Sequence, residues 1–218
     1  MEIDELKRNI DIVQNAVARA AAGAHVTLVA ATKTVSPQII NHAVECGITD
    51  VGENRVQEYT AKRDAVKRVK WHFIGTLQTN KAKYLVGNVA LIQSVNCTAL
   101  SDEISRLAVK RGTVQDVLIE VNAGGEPQKT GAAFDEAQSL CEHVMRLSNV
   151  RVRGLMAVPP IAAEDGVYRK IRDLYESLSL GKDDFNILSV GMSGDYVRAI
   201  GFGSNMVRIG SALFGKRT

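Results

Sequence analysis

The feature that most constrains the fold is an alternation of short apolar runs with helical patterns, repeated eight times from residue 26 onward. Each run is rich in β-branched residues and is followed by a polar or glycine-containing loop, then by apolar residues at helical spacing. The runs are apolar almost throughout, which is typical of parallel strands with both faces buried beneath crossover helices. The predicted strands cover residues 26–31, 49–51, 71–74, 89–93, 117–121, 152–158, 187–190 and 206–209.

Eight strand–helix units predict an α/β fold in the form of a closed (β/α)8 TIM barrel, built by a single domain over residues 1–218. An open doubly wound sheet is the structural alternative, but no G-x-G-x-x-G follows the first strand and the sequence has no Walker loop. An extra amphipathic helix is expected before the first strand. Its apolar positions, spaced by three and four, are Ile3, Leu6, Ile10, Val13 and Val17.

Composition limits the classes of partner. The 218 residues are 45% hydrophobic, enough for one sizeable core, and the formal net charge of +3 is too small to indicate a nucleic-acid partner. No apolar stretch approaches the ~20 residues of a membrane span. Because the N-terminus is acidic and lacks the apolar core of a secretory signal, we expect a cytoplasmic protein with no membrane partner. Cys46, Cys97 and Cys141 are widely spaced and predict free, buried thiols in a reducing compartment.

The residue that ends the first predicted strand is Lys33. It alternates with Ala31 and Val29, so all three share one face, and Lys33 points into the barrel mouth if that face is the interior. An isolated lysine at a strand end is commonly a solvated side chain. The functional alternative is a Schiff-base amine, because a partly desolvated ammonium loses its proton more readily and can then attack an aldehyde.

The last two strands carry a second signal. Ser193 and Gly194 follow the seventh strand and Gly210 and Ser211 follow the eighth, each pair at an expected helix start. Such residues can simply cap two helices. They can also present backbone N–H groups to a phosphate, and the usual phosphate site of these barrels lies at these two loops. Their occurrence at both strand ends favours an anion site.

Arg208 lies within the eighth strand between two aliphatic residues, so alternation directs its guanidinium into the barrel. A buried unpaired charge is costly, and Arg208 therefore needs a partner. The partner is either a structural carboxylate or a ring nitrogen of a cofactor.

Weaker candidates follow the second and third strands. Asn54 comes after Gly52 and Glu53, and His72 lies within the third strand. Glu53 is also compatible with the first turn of a helix, and His72 with a hydrogen-bonded core histidine. Residues 122–131 have the composition of a loop, whose closure over the mouth is left open. Neither an H-E-x-x-H motif nor a nucleophile elbow is found, so we expect no metal site and no serine hydrolase.

Together these residues resemble the motifs of the pyridoxal phosphate homeostasis proteins, in order and over almost the whole chain. The matching segments are A-T-K-T at 31–34, G-E-N-R-V-Q-E at 52–58, W-H-F-I-G-T-L-Q-T-N-K at 71–81, R-G-L-M-A at 153–157, G-M-S at 191–193 and V-R-I-G-S-A-L-F-G at 207–215. Each segment is modest alone, and the set is highly specific.

The resemblance implies a barrel like the N-terminal domain of alanine racemases, with pyridoxal 5′-phosphate as cofactor. It implies a Schiff base on Lys33, phosphate held at Ser193 and at Gly210 and Ser211, and Arg208 against the pyridine nitrogen. Asn54 and His72 complete the expected cofactor-binding set. The family is implicated in keeping free pyridoxal phosphate low, so the resemblance implies storage, buffering or delivery of the cofactor without catalysis. Apo-enzymes are then expected as transient partners, and we expect a monomer.

Two enzyme functions remain as alternatives. A pyridoxal-phosphate-dependent amino-acid racemase would need a second acid/base group, and all five tyrosines fall within or beside predicted helices, while residue 218 lies just beyond the eighth strand. A Schiff-base aldolase acting on a phosphorylated sugar also suits a strand-end lysine with a phosphate site. The aldolase is less favoured because the motif resemblance extends along the whole chain.

Overall fold

The computed structural model describes residues 2–124 and 130–215 and confirms the predicted class. Eight parallel strands pair in chain order and close when β8 pairs with β1, giving a (β/α)8 barrel. The strands are β1 Thr27–Ala31, β2 Asp50–Glu53, β3 Lys70–Phe73, β4 Leu91–Val95, β5 Gln115–Val121, β6 Val150–Ala157, β7 Ile187–Val190 and β8 Met206–Ile209. The helices are α1 Ile3–Ala21, α2 Pro37–Glu45, α3 Val56–Lys62, α4 Thr98–Arg111, α5 Phe134–Met145, α6 Asp165–Ser179, α7 Tyr196–Gly201 and α8 Ser211–Phe214, with a 3₁₀ helix at Thr79–Tyr84.

The predicted strands overlap the observed ones, and β7 and β8 coincide with their predictions. The three cysteines are free, but only Cys141 is buried as expected, since Cys46 is half-buried and Cys97 is exposed. Two other local expectations were wrong. Glu53 ends β2 instead of beginning a helix, and α3 starts only at Val56. Ser193 lies in a turn, and α7 starts at Tyr196, because the Asp195 carboxylate accepts a hydrogen bond from the Met192 N–H at 2.7 Å and closes that turn first.

The apolar core has two parts, separated by the barrel wall. A large cluster fills the space between the strands and the surrounding helices. A small cluster fills the barrel interior, and its buried members are Val29, Leu91, Leu118, Met156 and Met206. Where a strand contributes to both clusters, its successive residues alternate between them, as Val117, Leu118 and Ile119 of β5 do.

The N-terminal helix α1 packs outside the barrel, against α7 and α8 among others. Of the five predicted apolar positions, four are buried, namely Leu6, Ile10, Val13 and Val17, whereas Ile3 at the helix start is 50% exposed. The predicted amphipathic stripe is therefore confirmed from Leu6 onward. Asn9 on the same helix donates a hydrogen bond to the Leu213 carbonyl at 3.1 Å. The helix therefore supports α8 from behind, and α8 begins at Ser211, one of the predicted phosphate-binding residues.

The loop expected at 122–131 is described only at its ends, since residues 125–129 lie outside the described residues. Its ends pair closely: the Asn122 N–H donates to the Ala132 carbonyl at 2.9 Å, and the Ala132 N–H donates to the Glu120 carbonyl at 2.8 Å. Within residues 2–124 and 130–215, no helix is both long and apolar enough to cross a membrane.

Candidate functional site

A cavity of about 650 Å³ lies at the carboxyl ends of the strands, which is a common volume for a small-molecule site. It brings together six of the seven predicted site residues. Among the described residues, its polar lining is Lys33, Asn54, Ser193, Arg208 and Ser211, with Gly194 and Gly210, and its apolar lining is Ala31, Ile74, Val158 and Met192. His72 is absent from this lining.

Lys33 reaches the cavity from a tight turn that directly follows β1. Val29 belongs to the interior cluster, and Ala31 and Lys33 line the cavity above it, so the predicted alternation places Lys33 at the mouth. The turn is closed by a hydrogen bond from the Val35 N–H to the Thr32 carbonyl at 2.9 Å, with Lys33 and Thr34 at its central positions. Thr34 has a φ of 64°, in the left-handed region that β-branched residues rarely adopt.

Arg208 crosses the barrel interior and is 4% exposed. One guanidinium nitrogen donates to the Ser189 carbonyl at 2.7 Å and to Ser189 Oγ at 2.6 Å, and the other donates to the Ala157 carbonyl at 3.0 Å. These bonds use three of its five N–H groups. The structural carboxylate expected as one possible partner is not found, because no ion pair joins Arg208 to an acid among the described residues.

The hydrogen-bond partners of Arg208 are uncharged, so they do not offset the effect of burial on its pKa. Burial lowers the pKa of Arg208 to about 10, although the charge of Glu120 partly offsets this effect. At neutral pH the guanidinium therefore remains a cation, and no carboxylate of residues 2–124 and 130–215 forms an ion pair with it. A cation of this kind at a cavity wall favours a ligand that accepts hydrogen bonds or carries negative charge.

Ser193 is held against the start of α8 by the backbone of the neighbouring loop. Its Oγ accepts hydrogen bonds from the N–H groups of Gly210 at 3.2 Å and Ala212 at 3.1 Å. The Gly210 N–H, which was predicted to face a phosphate, thus already binds Ser193. The Ser193 O–H remains a donor at the cavity, next to Ser211.

Asn54 occupies its place on the cavity wall because the next loop has no side chain at Gly75. A Cβ built on Gly75 would lie 2.3 Å from the Asn54 carbonyl oxygen and 2.7 Å from its Cα. The loops after β2 and β3 can therefore touch only with glycine at position 75. This contact brings Ile74 and Asn54 together on the cavity wall.

His72 lies deeper, in a row of buried polar side chains that we call the inner chain: Asp50, His72, Gln93, Ser189 and Arg208. His72 Nε2 lies 2.9 Å from Asp50 Oδ1, and His72 Nδ1 lies 3.1 Å from Gln93 Nε2. Ser189 Oγ donates to Gln93 Oε1 at 2.7 Å and accepts from Arg208. The structure thus gives His72 the hydrogen-bonded core position and connects it to Arg208 through two side chains.

The hydrogen bonds of the inner chain all run in one direction. Arg208 can only donate, so the Ser189 hydroxyl must donate onward to the Gln93 oxygen, and the Gln93 amide then donates to His72 Nδ1. The His72 proton is therefore assigned to Nε2, where it faces the Asp50 carboxylate. Burial alone would raise the pKa of Asp50, but hydrogen bonds from His72 and Thr49 bring it below its ordinary value.

Sequence reasoning missed Gln93 and Ser189, which fix the guanidinium of Arg208. Both are fully buried within apolar strands. The sequence feature that could have indicated them is a polar residue at a position of a strand whose other residues are apolar. That signal marks a polar contact inside the barrel without identifying the strand that supplies its partner.

Glu120 is a buried acid beside the described end of the 122–131 loop, and one of its oxygens accepts from Thr130 Oγ1 at 2.6 Å. Burial raises the pKa of Glu120, which the hydrogen bond from Thr130 and the charge of Arg208 offset only in part. Among residues 2–124 and 130–215, no group of three or more histidines, cysteines and acids is placed to hold a metal. The chemistry available at the cavity is therefore that of an amine, a guanidinium and hydroxyl donors.

The chain matches the family described as the alanine racemase N-terminal domain over residues 1–218. A relative from Aquifex aeolicus, named pyridoxal phosphate homeostasis protein, is 44% identical over 225 residues, covering 98% of this chain and 97% of the relative. Among solved structures, a protein from Bifidobacterium adolescentis described as unknown has a TM-score of 0.92 at 32% identity, covering 97% of this chain and 95% of that one.

A further solved structure is PipY of Synechococcus elongatus, which has pyridoxal phosphate bound. It has a TM-score of 0.84 at 26% identity, and the match covers 96% of this chain and all of that one. The TM-scores of these two structures agree with the barrel fold of this chain. This chain belongs to the alanine racemase N-terminal domain family and, within it, to the pyridoxal phosphate homeostasis proteins.

Proposed function

We propose that this chain binds pyridoxal 5′-phosphate in the strand-end cavity as a Schiff base on Lys33 and serves its homeostasis by storage, buffering or delivery. The observation that carries the proposal is the cavity itself, which places an amine, a buried guanidinium and a hydroxyl donor around one volume of about 650 Å³. These groups match an aldehyde, a ring nitrogen and a phosphate. The PipY structure with the cofactor bound supports the same ligand.

The residues present fit the cofactor in number and kind. Lys33 supplies the amine, Arg208 has N–H groups left for the pyridine nitrogen, and Ser193, Gly210 and Ser211 lie where a phosphate would be held. The aldehyde of the bound cofactor supplies an electrophilic carbon. Lys33 Nζ, as the neutral amine, attacks that carbon, and a C=N bond replaces the C=O bond while both amine protons leave with the oxygen as water.

We infer a carrier instead of a catalyst from the groups that the cavity lacks among the described residues. Proton transfer by a positioned acid or base contributes typically ~10²–10⁴-fold in rate, and a racemase needs one such group on each face of its substrate. None of the five tyrosines lines the cavity, and His72 is committed to Asp50 and Gln93. Arg208 only donates, so it leaves the ring nitrogen unprotonated and the ring a weaker electron sink.

The test combines a spectrum with chemical trapping. Purified protein mixed with pyridoxal phosphate should show a visible absorption band, and borohydride reduction followed by peptide mass analysis should place the phosphopyridoxyl group on Lys33. Lys33→Ala should lose both signals, while Lys110→Ala, on the exposed side of α4, should keep them. A label found mainly on Lys81 or Lys129 would contradict the assignment, and a colourless protein would favour the aldolase alternative.

A second measurement separates the carrier from the racemase. Cofactor-loaded protein is incubated with a panel of amino acids in deuterated water, and exchange at Cα is followed by NMR. The proposal expects exchange far below enzyme-like rates. Many turnovers per second, abolished by Lys33→Ala, would make the chain an enzyme. Transient delivery to apo-enzymes and a monomeric state belong to the proposal as well, and light scattering of the loaded protein tests the latter.

A further inference from the structure

A cluster of charges, two of them buried and one partly exposed, lies outside the barrel wall, directly beneath the turn that carries Lys33. We call it the outer cluster, and it consists of Glu53 at the end of β2 with Glu58 and Lys62 on α3. Lys62 Nζ donates to Glu53 Oε1 at 2.8 Å, to Glu58 Oε2 at 3.0 Å and to the Thr32 carbonyl at 2.9 Å. These three bonds use every N–H of the ammonium group.

The outer cluster holds the peptide groups on both sides of Lys33. On one side, the Thr32 carbonyl is bound by Lys62, and Thr32 Oγ1 donates to Glu53 Oε1 at 2.7 Å. On the other side, the Thr34 N–H donates to Glu58 Oε2 at 2.7 Å. The main chain around Lys33 is therefore fixed at both flanks by two separate elements, β2 and α3.

The conformation that these contacts hold is an uncommon one. Thr34 has a φ of 64°, which costs free energy for a β-branched residue, so the turn would relax toward other conformations without an external restraint. Relaxation would redirect the Cα–Cβ bond of Lys33. With four rotatable side-chain bonds beyond Cα, the amine would then occupy a larger volume and meet a fixed aldehyde less often.

The composition of the outer cluster also indicates a positioning role. Glu53 is 0% exposed, its Oε2 has no hydrogen-bond partner among the described residues, and burial raises its pKa. Buried ion pairs are poor stabilisers compared with apolar side chains of similar size. A cation paired with a carboxylate is nevertheless well suited to this turn, because Lys62 donates to the Thr32 carbonyl while Glu58 accepts from the Thr34 N–H, and apolar side chains can do neither.

We propose that Lys62, with Glu53 and Glu58, is a positioning residue that fixes the turn around Lys33 so that its amine is aimed at the aldehyde of the ligand. This inference rests on the proposed function, because it assumes that Lys33 reacts with an aldehyde in the cavity. It assigns a role to three residues that do not line the cavity. This role predicts that disrupting the outer cluster weakens formation of the Schiff base on Lys33 and leaves binding of the ring and the phosphate unchanged.

The experiment compares two ligands that differ only at the reacting carbon. Pyridoxal 5′-phosphate carries the aldehyde, whereas pyridoxine 5′-phosphate carries an alcohol there and cannot form a Schiff base. Affinities of both ligands are measured by calorimetry for the wild type, Lys62→Met and Lys62→Arg. We expect Lys62→Met to weaken binding of the aldehyde by about tenfold or more and of the alcohol by less than about twofold. Lys62→Arg should recover part of the loss, because it can still donate to the Thr32 carbonyl.

Two further variants keep the test decisive if Lys62→Met does not fold. Lys62→Met combined with Glu53→Gln removes the buried charges together, and Glu58→Ala removes the Thr34 contact while the pair between Lys62 and Glu53 remains. Both should show the same selective loss, about threefold or more for Glu58→Ala. Arg153→Met is the matched control, because it breaks an ion pair with Asp116 at the other end of the barrel and should leave the ratio of the two affinities unchanged.

The outcomes separate the two proposals. If the wild type binds neither ligand, or binds both equally without a visible band, the proposed function fails. If the wild type forms the Schiff base but the variants weaken both ligands equally, or neither, the positioning role fails and the proposed function stands. The rate at which the visible band appears is a second measurement of Schiff-base formation. This rate should fall in the variants, whereas their affinity for pyridoxine 5′-phosphate should stay close to that of the wild type.

Discussion

The inner chain and the outer cluster lie on opposite faces of the same barrel wall and solve the problem of buried charge in different ways. The inner chain separates the charges of Arg208 and Asp50 by three side chains whose hydrogen bonds run in one direction. The outer cluster places one cation in direct contact with two carboxylates. One arrangement orients a cation without neutralising it, and the other neutralises a cation and uses it to hold the backbone.

The difference matters for what each region offers to a ligand. Arg208 keeps its charge and two of its N–H groups because its partners are carbonyl and hydroxyl oxygens. Lys62 has no N–H left and does not line the cavity. The cation that faces the ligand therefore keeps N–H donors free for it, whereas the cation that positions the binding residue uses all its N–H donors within the protein.

The largest expected effect is on stability and comes from breaking the outer cluster on one side only. Lys62→Met leaves Glu53 buried without a cation, and loss of one partner of a buried ion pair costs about 3–5 kcal/mol. The cost should fall near the lower end, because burial already raises the pKa of Glu53 and the acid can take up a proton. The free energy of unfolding is measured by urea titration.

Adding Glu53→Leu to Lys62→Met should recover much of that loss, since both buried charges are then gone. The matched exposed pair on α4 gives the control: Arg106→Met, which leaves Glu103 in water, should change the free energy of unfolding by less than about 1 kcal/mol. A double variant no more stable than Lys62→Met would show that the outer cluster contributes more than its charges.

A smaller effect is expected in the inner chain. Gln93 is 0% exposed and contacts His72, Ser189 and Met206. Gln93→Leu leaves His72 Nδ1 and the Ser189 hydroxyl without their buried partner, and an unsatisfied buried polar group costs about 1–3 kcal/mol. We expect a loss of about 2–3 kcal/mol in urea unfolding, while Gln138→Leu on the exposed face of α5 stays within about 0.5 kcal/mol.

The ligand response should distinguish the two regions as well. Because Gln93→Leu releases Ser189 and with it Arg208, it should weaken pyridoxine 5′-phosphate and pyridoxal 5′-phosphate by similar factors. That pattern is opposite to the aldehyde-selective loss expected for the outer cluster. A Gln93→Leu protein with unchanged affinity for both ligands would show that the Ser189 and Ala157 carbonyls alone orient Arg208.

Sequence reasoning succeeded where a residue's role follows from its place on one strand. Alternation within β1 and β8 was enough to direct Lys33 and Arg208 toward the interior, and chain order was enough to bring the last two loops together. It could not find Gln93 as the partner of Ser189, because β4 and β7 are not neighbours in the sheet and their contact depends on barrel closure. It also missed Lys62, since a lysine in the last turn of a helix is usually solvated and its burial here depends on how α3 packs beneath the turn after β1.

The smallest effect is on the pH dependence of stability, where the two regions should act with opposite sign. Asp50 in the inner chain faces His72 and Thr49, with the charge of Lys70 nearby, and its pKa in the folded protein lies below its ordinary value. Its stabilising contribution is complete above about pH 3.9, the pKa of an unfolded aspartate, and is lost as the pH falls through the lower folded pKa. The free energy of unfolding of Asp50→Asn should therefore fall less steeply at acid pH than that of the wild type.

Glu53 in the outer cluster faces Lys62, Thr32 and Glu58, and burial raises its pKa because the hydrogen bonds from Lys62 and Thr32 offset that penalty only in part. The folded state then binds the proton more tightly than the unfolded state, whose glutamate titrates near about pH 4.3. Its contribution is most favourable below that pH and declines as the pH rises through the folded pKa.

The difference in unfolding free energy between wild type and Glu53→Gln should thus shrink with rising pH, whereas the difference between wild type and Asp50→Asn should grow and then level off. Urea titrations at several values between about pH 3 and pH 7 measure both differences. Two curves with slopes of the same sign would contradict the contrast between a hydrogen-bonded carboxylate inside the barrel and a desolvated one outside it.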